Sequence, residues 1–154
     1  MGNIIPATTG AAQAVVKVLP ELKGKFHGKS PPSRCFPLPR SSTGISIRVP
    51  VTNVSLVDLT VRFETPVASK EELMNAFRVA SKGQLAGVLR VSDEKLVSSD
   101  YLSSTESSII DADATVLLDD RTAKIVAWYD NEYGFASRSK SSGCYTSRRL
   151  IRSV

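Results

Sequence analysis

Val57-Asp58-Leu59-Thr60-Val61-Arg62-Phe63-Glu64 alternates apolar and polar side chains without a break. Successive side chains of a strand point to opposite faces, so Val57, Leu59, Val61 and Phe63 share one face and Asp58, Thr60, Arg62 and Glu64 the other. This is the pattern of a half-buried strand in an antiparallel sheet; a parallel sheet is covered on both faces and reads as an unbroken apolar run. Just downstream, Ser69 and Glu72 make a capping box, and Leu73, Ala76, Phe77 and Ala80 recur at i, i+3, i+4 and i+7. That spacing predicts an amphipathic helix, with Gly83 at its end.

Further out the same periods recur. Segments 108–118 and 123–129 read as two strands around Asp119-Asp120-Arg121-Thr122, a hairpin. Segment 46–49 alternates, with Ile47 and Val49 on one face and Ser46 and Arg48 on the other. Ala11 to Leu19 reads as a helix that Pro20 stops; apolar residues lie almost all round it, so it is expected to be largely buried. A helix, strands, a second helix and more strands make the fold class α+β: a mostly antiparallel sheet with helices on one face.

Two segments break the pattern. Residues 29–45 hold four of the eight prolines and show no periodicity, and residues 137–154 are rich in Ser and Arg with no apolar face. Both are expected to be poorly ordered. The body is thus expected at 1–136, interrupted by a Pro/Ser-rich insertion at 29–45 and followed by a basic tail at 137–154.

A length of 154 residues suits one domain with a real core but not two full ones, and 42% hydrophobic content argues against wholesale disorder. No run of about 18 apolar residues is present, so no membrane span is expected. The N-terminus lacks the layout of a signal peptide. Met1-Gly2 suggests myristoylation, but Pro6 stands where Ser or Thr is usual. Two cysteines give no disulfide framework, no metal site is expected, and a reducing cytosol is the default. The net charge of +5 is uneven: Lys29, Arg34, Arg40, Arg138, Lys140, Arg148, Arg149 and Arg152 lie in the two irregular segments, which carry no acid. The rest of the chain is therefore net acidic. Nucleic-acid binding by the tail would be salt-dependent, but only Tyr145 offers a stacking surface there, and a solvated tail is the better default.

Ala127-Trp128-Tyr129-Asp130-Asn131-Glu132-Tyr133-Gly134 places an amide at the end of a strand, where it can donate and accept hydrogen bonds. The plain alternative is an Asp/Asn/Gly turn. Thr9-Gly10, opening a helix, offers backbone N–H groups and the positive end of the helix dipole to an anion. Arg48 can add bidentate, charge-assisted hydrogen bonds. The plain alternative for these residues is a helix cap and a surface arginine.

Asn3-Ile4-Ile5-Pro6, Thr9-Gly10-Ala11-Ala12, Leu19-Pro20-Glu21-Leu22, Arg48-Val49-Pro50, Asn53-Val54-Ser55, Val57-Asp58-Leu59-Thr60 and Trp128-Tyr129-Asp130-Asn131-Glu132 together resemble glyceraldehyde-3-phosphate dehydrogenase. They match, in order, the second half of that family's catalytic domain, over roughly residues 3–28 and 46–138. The resemblance implies that Thr9 and Gly10 belong to the inorganic-phosphate site and Arg48 to the phosphate-binding cluster. It implies that Asn131 holds the nicotinamide carboxamide, with Phe135 near the same ring; an ordinary core aromatic is an equal reading of Phe135. The implied reaction is phosphorylating oxidation of glyceraldehyde 3-phosphate in glycolysis, with inorganic phosphate and NAD or NADP.

In the family, a cysteine thiolate adds to the aldehyde, assisted by a histidine, and both precede the Asn-Ile-Ile-Pro motif with which this chain begins. No catalytic residue is therefore assigned. Cys35 and Cys144 lie in the two irregular segments, and neighbouring His27 does not make a held dyad with Cys35. No glycine-rich dinucleotide fingerprint follows a strand. The expectation is thus a partial catalytic domain that does not bind the cofactor by itself, with both irregular segments arising from retained non-coding or frame-altered sequence. The alternative is a non-catalytic interaction or regulatory chain that assembles with full-length subunits. A homo-oligomer or mixed oligomer in the cytoplasm, or in a plastid, is expected.

Overall fold

The computed structural model describes residues 2–20 and 44–139, which fall into two compact units dividing at Val51 and Thr52. The bulk of the insertion expected at 29–45 and of the tail expected at 137–154 lies outside the described residues. Their described ends are regular: Ile45 starts a strand, and 137–139 continue a helix.

Among its described residues, the first unit holds a two-stranded antiparallel ribbon and one helix. Strand β1 (Ile5–Thr8) pairs with β2 (Ile45–Arg48) in a register that sets Ile5 opposite Arg48 and Thr8 opposite Ile45. Helix α1 (Ala11–Val18) follows β1 and closes with the Leu19 N–H on the Val15 carbonyl at 2.8 Å, just before Pro20. The helix forms where its pattern predicts, but its expected burial is not found. Val18 is 77% exposed, and Val15 and Leu19 are exposed as well.

The second unit is a five-stranded sheet with the path β3-β7-β5-β4. Strand β3 (Ser55–Arg62) and strand β7 (Thr122–Tyr129) pair antiparallel over their whole lengths, from Ser55 opposite Tyr129 to Arg62 opposite Thr122. The alternation in 57–64 is this strand, starting two residues earlier and ending before Phe63. On the far side of β7 lie β5 (Ser108–Asp111) and β6 (Val116–Leu117), both antiparallel to it. Strand β4 (Leu89–Ser92) pairs parallel with β5, the one parallel step in a mostly antiparallel sheet.

The expected continuous strand over 108–118 is thus two strands, split by a turn. The Asp111 side chain accepts the Ala114 N–H at 2.9 Å, and its carbonyl accepts the Thr115 N–H at 3.1 Å. This Asx-type turn removes β7's partner at that point. Fully buried Thr115 fills the gap, its hydroxyl accepting the Val126 N–H at 3.2 Å. A buried N–H left unpaired would cost about 1–3 kcal/mol.

Helix α2 (Lys70–Lys82) has the predicted cap and end. Ser69 Oγ accepts the Glu72 N–H at 3.2 Å. The returning Glu72 carboxylate takes the Ala68 N–H at 2.7 Å, one residue upstream of the Ser69 N–H a capping box uses. Gly83 closes the helix through its N–H to the Val79 and Ala80 carbonyls. The buried stripe is rotated from the predicted one: Leu73 and Met74 are buried, Phe77 and Ala80 half-buried, and Ala76 exposed. Met74, 1% exposed, packs with Leu73 against Ile110, Ala123, Ile125 and Ala127. Val54, Tyr101 and Ile109 form a second cluster, flanked by Leu96 and Trp128. Trp128 and Ala127 alternate on β7, so the two clusters lie on opposite faces of the sheet.

Candidate functional site

Asp130 ends β7 and organises the segment that carries Asn131. It is only 3% exposed and accepts four hydrogen bonds. Its Oδ1 takes the Tyr133 N–H at 2.6 Å and the Glu132 N–H at 3.1 Å, holding the turn that leads into the helix at 133–139. Its Oδ2 takes the Ser103 N–H at 3.0 Å and Asn53 Nδ2 at 2.9 Å. The Tyr133 N–H is the largest influence holding this carboxyl below the usual aspartate range, joined by the Ser103 and Glu132 N–H groups and the Asn53 amide; burial works the other way.

Asn131 is exposed and held from both ends by the segment leading into β3. Its Oδ1 accepts the Ser55 hydroxyl at 2.8 Å, and its backbone N–H reaches Asn53 Oδ1 at 3.4 Å. Between those two partners, Val54 sits at φ 71° with its side chain buried. A β-branched residue rarely adopts that conformation, and holding it costs on the order of 1–3 kcal/mol. The Asn131 Nδ2 group has no partner among the described residues. Phe135 lies one helical turn on and is 73% exposed, which overturns its reading as a core aromatic.

The helix at 133–139 is seated on the loop before β5. A Cβ on Gly134 would lie 3.1 Å from the Glu106 carbonyl oxygen. Three residues before Asn131, the Trp128 ring stacks on Tyr101 with centroids 5.4 Å apart, and its Nε1–H donates to Asp111 Oδ2 at 3.0 Å. Nothing local in the sequence signals that Asn53 and Ser55 meet Asp130 and Asn131, because these contacts span 76 to 78 residues.

In the first unit, Thr9-Gly10 stands at the start of α1 as predicted. Thr9 Oγ1 accepts the Ala11 N–H at 3.2 Å, so its hydroxyl proton remains available to an anion. The N–H groups of Ala12 and Gln13 have no intrahelical acceptor at this end. Arg48 is exposed at the opposite end of the ribbon. It faces Ile5, whereas Thr8 faces Ile45, a separation of about 10 Å at roughly 3.3 Å per residue. Strand pairing alone does not bring Arg48 to Thr9. Among the described residues, no three His, Cys, Asp or Glu side chains converge on a possible metal position.

This is an α+β domain whose sheet ends in an oriented side-chain amide on the turn into a helix. A family model described as glyceraldehyde 3-phosphate dehydrogenase, C-terminal domain, matches residues 1–32 and 35–131. The chain belongs to that family. It is 49% identical over 137 residues to the glyceraldehyde-3-phosphate dehydrogenase of Mastigamoeba balamuthi, covering 89% of this chain and 35% of that protein. It is 47% identical over 136 residues to glyceraldehyde-3-phosphate dehydrogenase 2 of Bacillus subtilis, covering 88% and 35%. The testis-specific enzyme of Mus musculus is also 47% identical over 136 residues, covering 88% and 27%. The chain thus spans about a third or less of these curated relatives.

Proposed function

We propose that this chain is a fragment of a phosphorylating glyceraldehyde-3-phosphate dehydrogenase that supplies the nicotinamide-facing and phosphate-facing residues of the catalytic domain. The observation that carries the reading is Asn131, exposed at the end of a rigid sheet with its carbonyl held by Ser55. The residues fit the nicotinamide end of NAD or NADP: an oriented amide for the carboxamide and an exposed Phe135 one turn away for the ring. When bound, the cofactor supplies the hydride acceptor. Thr9 and Gly10 present a hydroxyl and helix-start N–H groups to inorganic phosphate, and Arg48, at the other end of the ribbon, offers positive charge to a second phosphate group. Thioester chemistry needs a cysteine and a histidine within hydrogen-bond reach, and neither is assigned among these residues.

A chimera tests this reading. Residues 1–138 are placed in the matching part of the Bacillus subtilis relative, and aldehyde-dependent cofactor reduction is measured. Activity is expected to persist, and Asn131→Ala is expected to raise the KM for the cofactor about tenfold, the cost of about 1.4 kcal/mol of lost binding. A folded chimera indifferent to Asn131→Ala contradicts the reading.

Apolar exposure favours a second role, as a non-catalytic or regulatory chain within an oligomer of full-length subunits. Ile4, Ile5, Ile45, Ile47, Val49 and Val51 are all exposed in the first unit. Contiguous exposed apolar surface marks a site for a partner. Co-purification with full-length subunits is the expected result. A cytoplasmic location accords with the relative named as cytosolic in Chlamydomonas reinhardtii. No helix among the described residues is long and apolar enough to cross a membrane.

A further inference from the structure

Ser55 and Asn131 meet at the last rung of the β3–β7 ladder, where Ser55 pairs with Tyr129. The Ser55 hydroxyl donates to Asn131 Oδ1 at 2.8 Å. A side-chain amide has an acceptor end and a donor end, and rotation about χ2 exchanges them at little cost. Engaging the carbonyl removes that freedom. Ser55 is itself fixed by the ladder, and the Asp130 carboxylate fixes the backbone that carries Asn131.

We propose that Ser55 is a positioning residue that sets the polarity of Asn131. It turns the two Nδ2 protons outward, so the group received there is a hydrogen-bond acceptor. On the reading of Asn131 as nicotinamide-facing, on which this step rests, that acceptor is the carboxamide carbonyl oxygen and not its NH2. An unconstrained amide would pair with a carboxamide either way round. Ser55 makes the pairing one-way.

The test uses the labelled 154-residue chain and the side-chain amide resonances of Asn131, identified by their loss in Asn131→Ala. Ser55→Ala is expected to shift those resonances and to create nuclear Overhauser contacts between the NH2 protons and the side chain at position 55. Ser55→Thr, which keeps the hydroxyl, is expected to restore the wild-type pattern. Two benzene derivatives without a ring nitrogen, at millimolar concentration, then test polarity. Acetophenone, whose carbonyl only accepts, is expected to move the Asn131 resonances; aniline, whose amino group donates, is not. Ser55→Ala is expected to weaken the response about fivefold, as loss of one hydrogen bond's worth of orientation would. Unchanged Asn131 resonances in Ser55→Ala overturn the positioning role, and a stronger response to aniline overturns the polarity. If neither compound acts on the wild-type chain, the outward-facing donor site falls; the Ser55→Ala spectrum still decides the positioning role, and the chimera decides the nicotinamide reading separately.

Discussion

Asn53 Nδ2 lies 2.9 Å from Asp130 Oδ2, tying together the entry to β3 and the exit from β7 across 77 residues of sequence. The same carboxylate holds Ser103 and the first turn of the 133–139 helix. Asp130→Ala would leave four donors without their acceptor. It is expected to lower the unfolding free energy by at least about 2 kcal/mol, read as a reduced urea midpoint at an unchanged m-value. A loss under about 0.5 kcal/mol would mean that the carboxylate does not organise this end of the sheet.

Acid should act through the same group. The Asp130 carboxyl is held below its ordinary range in the folded chain, chiefly by the Tyr133 N–H. Its contribution is therefore fully present above the unfolded aspartate value of about 3.9 and is lost as pH falls through the lower folded value. Asp119 is lowered in the same direction, first by the Arg121 N–H, at an exposed turn where solvent weakens the effect. The thermal midpoint is expected to fall on acidification below about pH 4, and to fall less in Asp130→Asn. Parallel curves for the two proteins would refute the assignment.

Gly134→Ala should run against helix propensity. In an open helix that change gains about 0.8–1.0 kcal/mol. Here the new methyl would lie 3.1 Å from the Glu106 carbonyl oxygen, a backbone atom in a loop also gripped by Arg138. A net loss of about 1 kcal/mol is expected. Ala136→Gly, at an exposed position of the same helix, is expected to cost about 1 kcal/mol through propensity alone.

The cap of α2 is accessible to a simple comparison. Ser69→Ala removes the acceptor for the Glu72 N–H and is expected to cost about 1 kcal/mol. Ser69→Asp keeps an acceptor at the helix start and should recover most of it. Denaturant titration of the three proteins measures both effects.

Trp128 is the one tryptophan in the chain, so its fluorescence reports the second cluster directly. Trp128→Phe keeps an aromatic against Tyr101 but deletes the donor to Asp111 Oδ2. A loss of about 1–3 kcal/mol is expected, measured by circular dichroism melting. Tyr101→Ala, which empties a fully buried site, is expected to cost about 3–5 kcal/mol.

Local patterns carried much of this fold into the sequence. Alternation marks β3 and β7, and the Ser69–Glu72 spacing and Gly83 mark the ends of α2. Strands β1 and β4 escaped because each has four residues and draws its definition from a distant partner. The turn at Asp111–Thr115 was hidden because the flanking residues read as one run; only the geometry of β7 separates them. The rotation of the α2 stripe from Ala76 to Met74 depends on how the helix lies on the sheet. At the site, a single exposed amide was legible in Asp130-Asn131-Glu132. The residues that orient it were not, since Asn53 and Ser55 reach it across 76 to 78 positions.

On the reading proposed above, these 154 residues present an oriented amide, and the nucleophile and base come from outside them. The purified chain, its fold verified by circular dichroism, is incubated with glyceraldehyde 3-phosphate, inorganic phosphate and NAD or NADP, and formation of the reduced cofactor is followed. No aldehyde-dependent reduction above the blank is predicted. Sustained turnover that disappears in Cys35→Ser or Cys144→Ser would contradict the account.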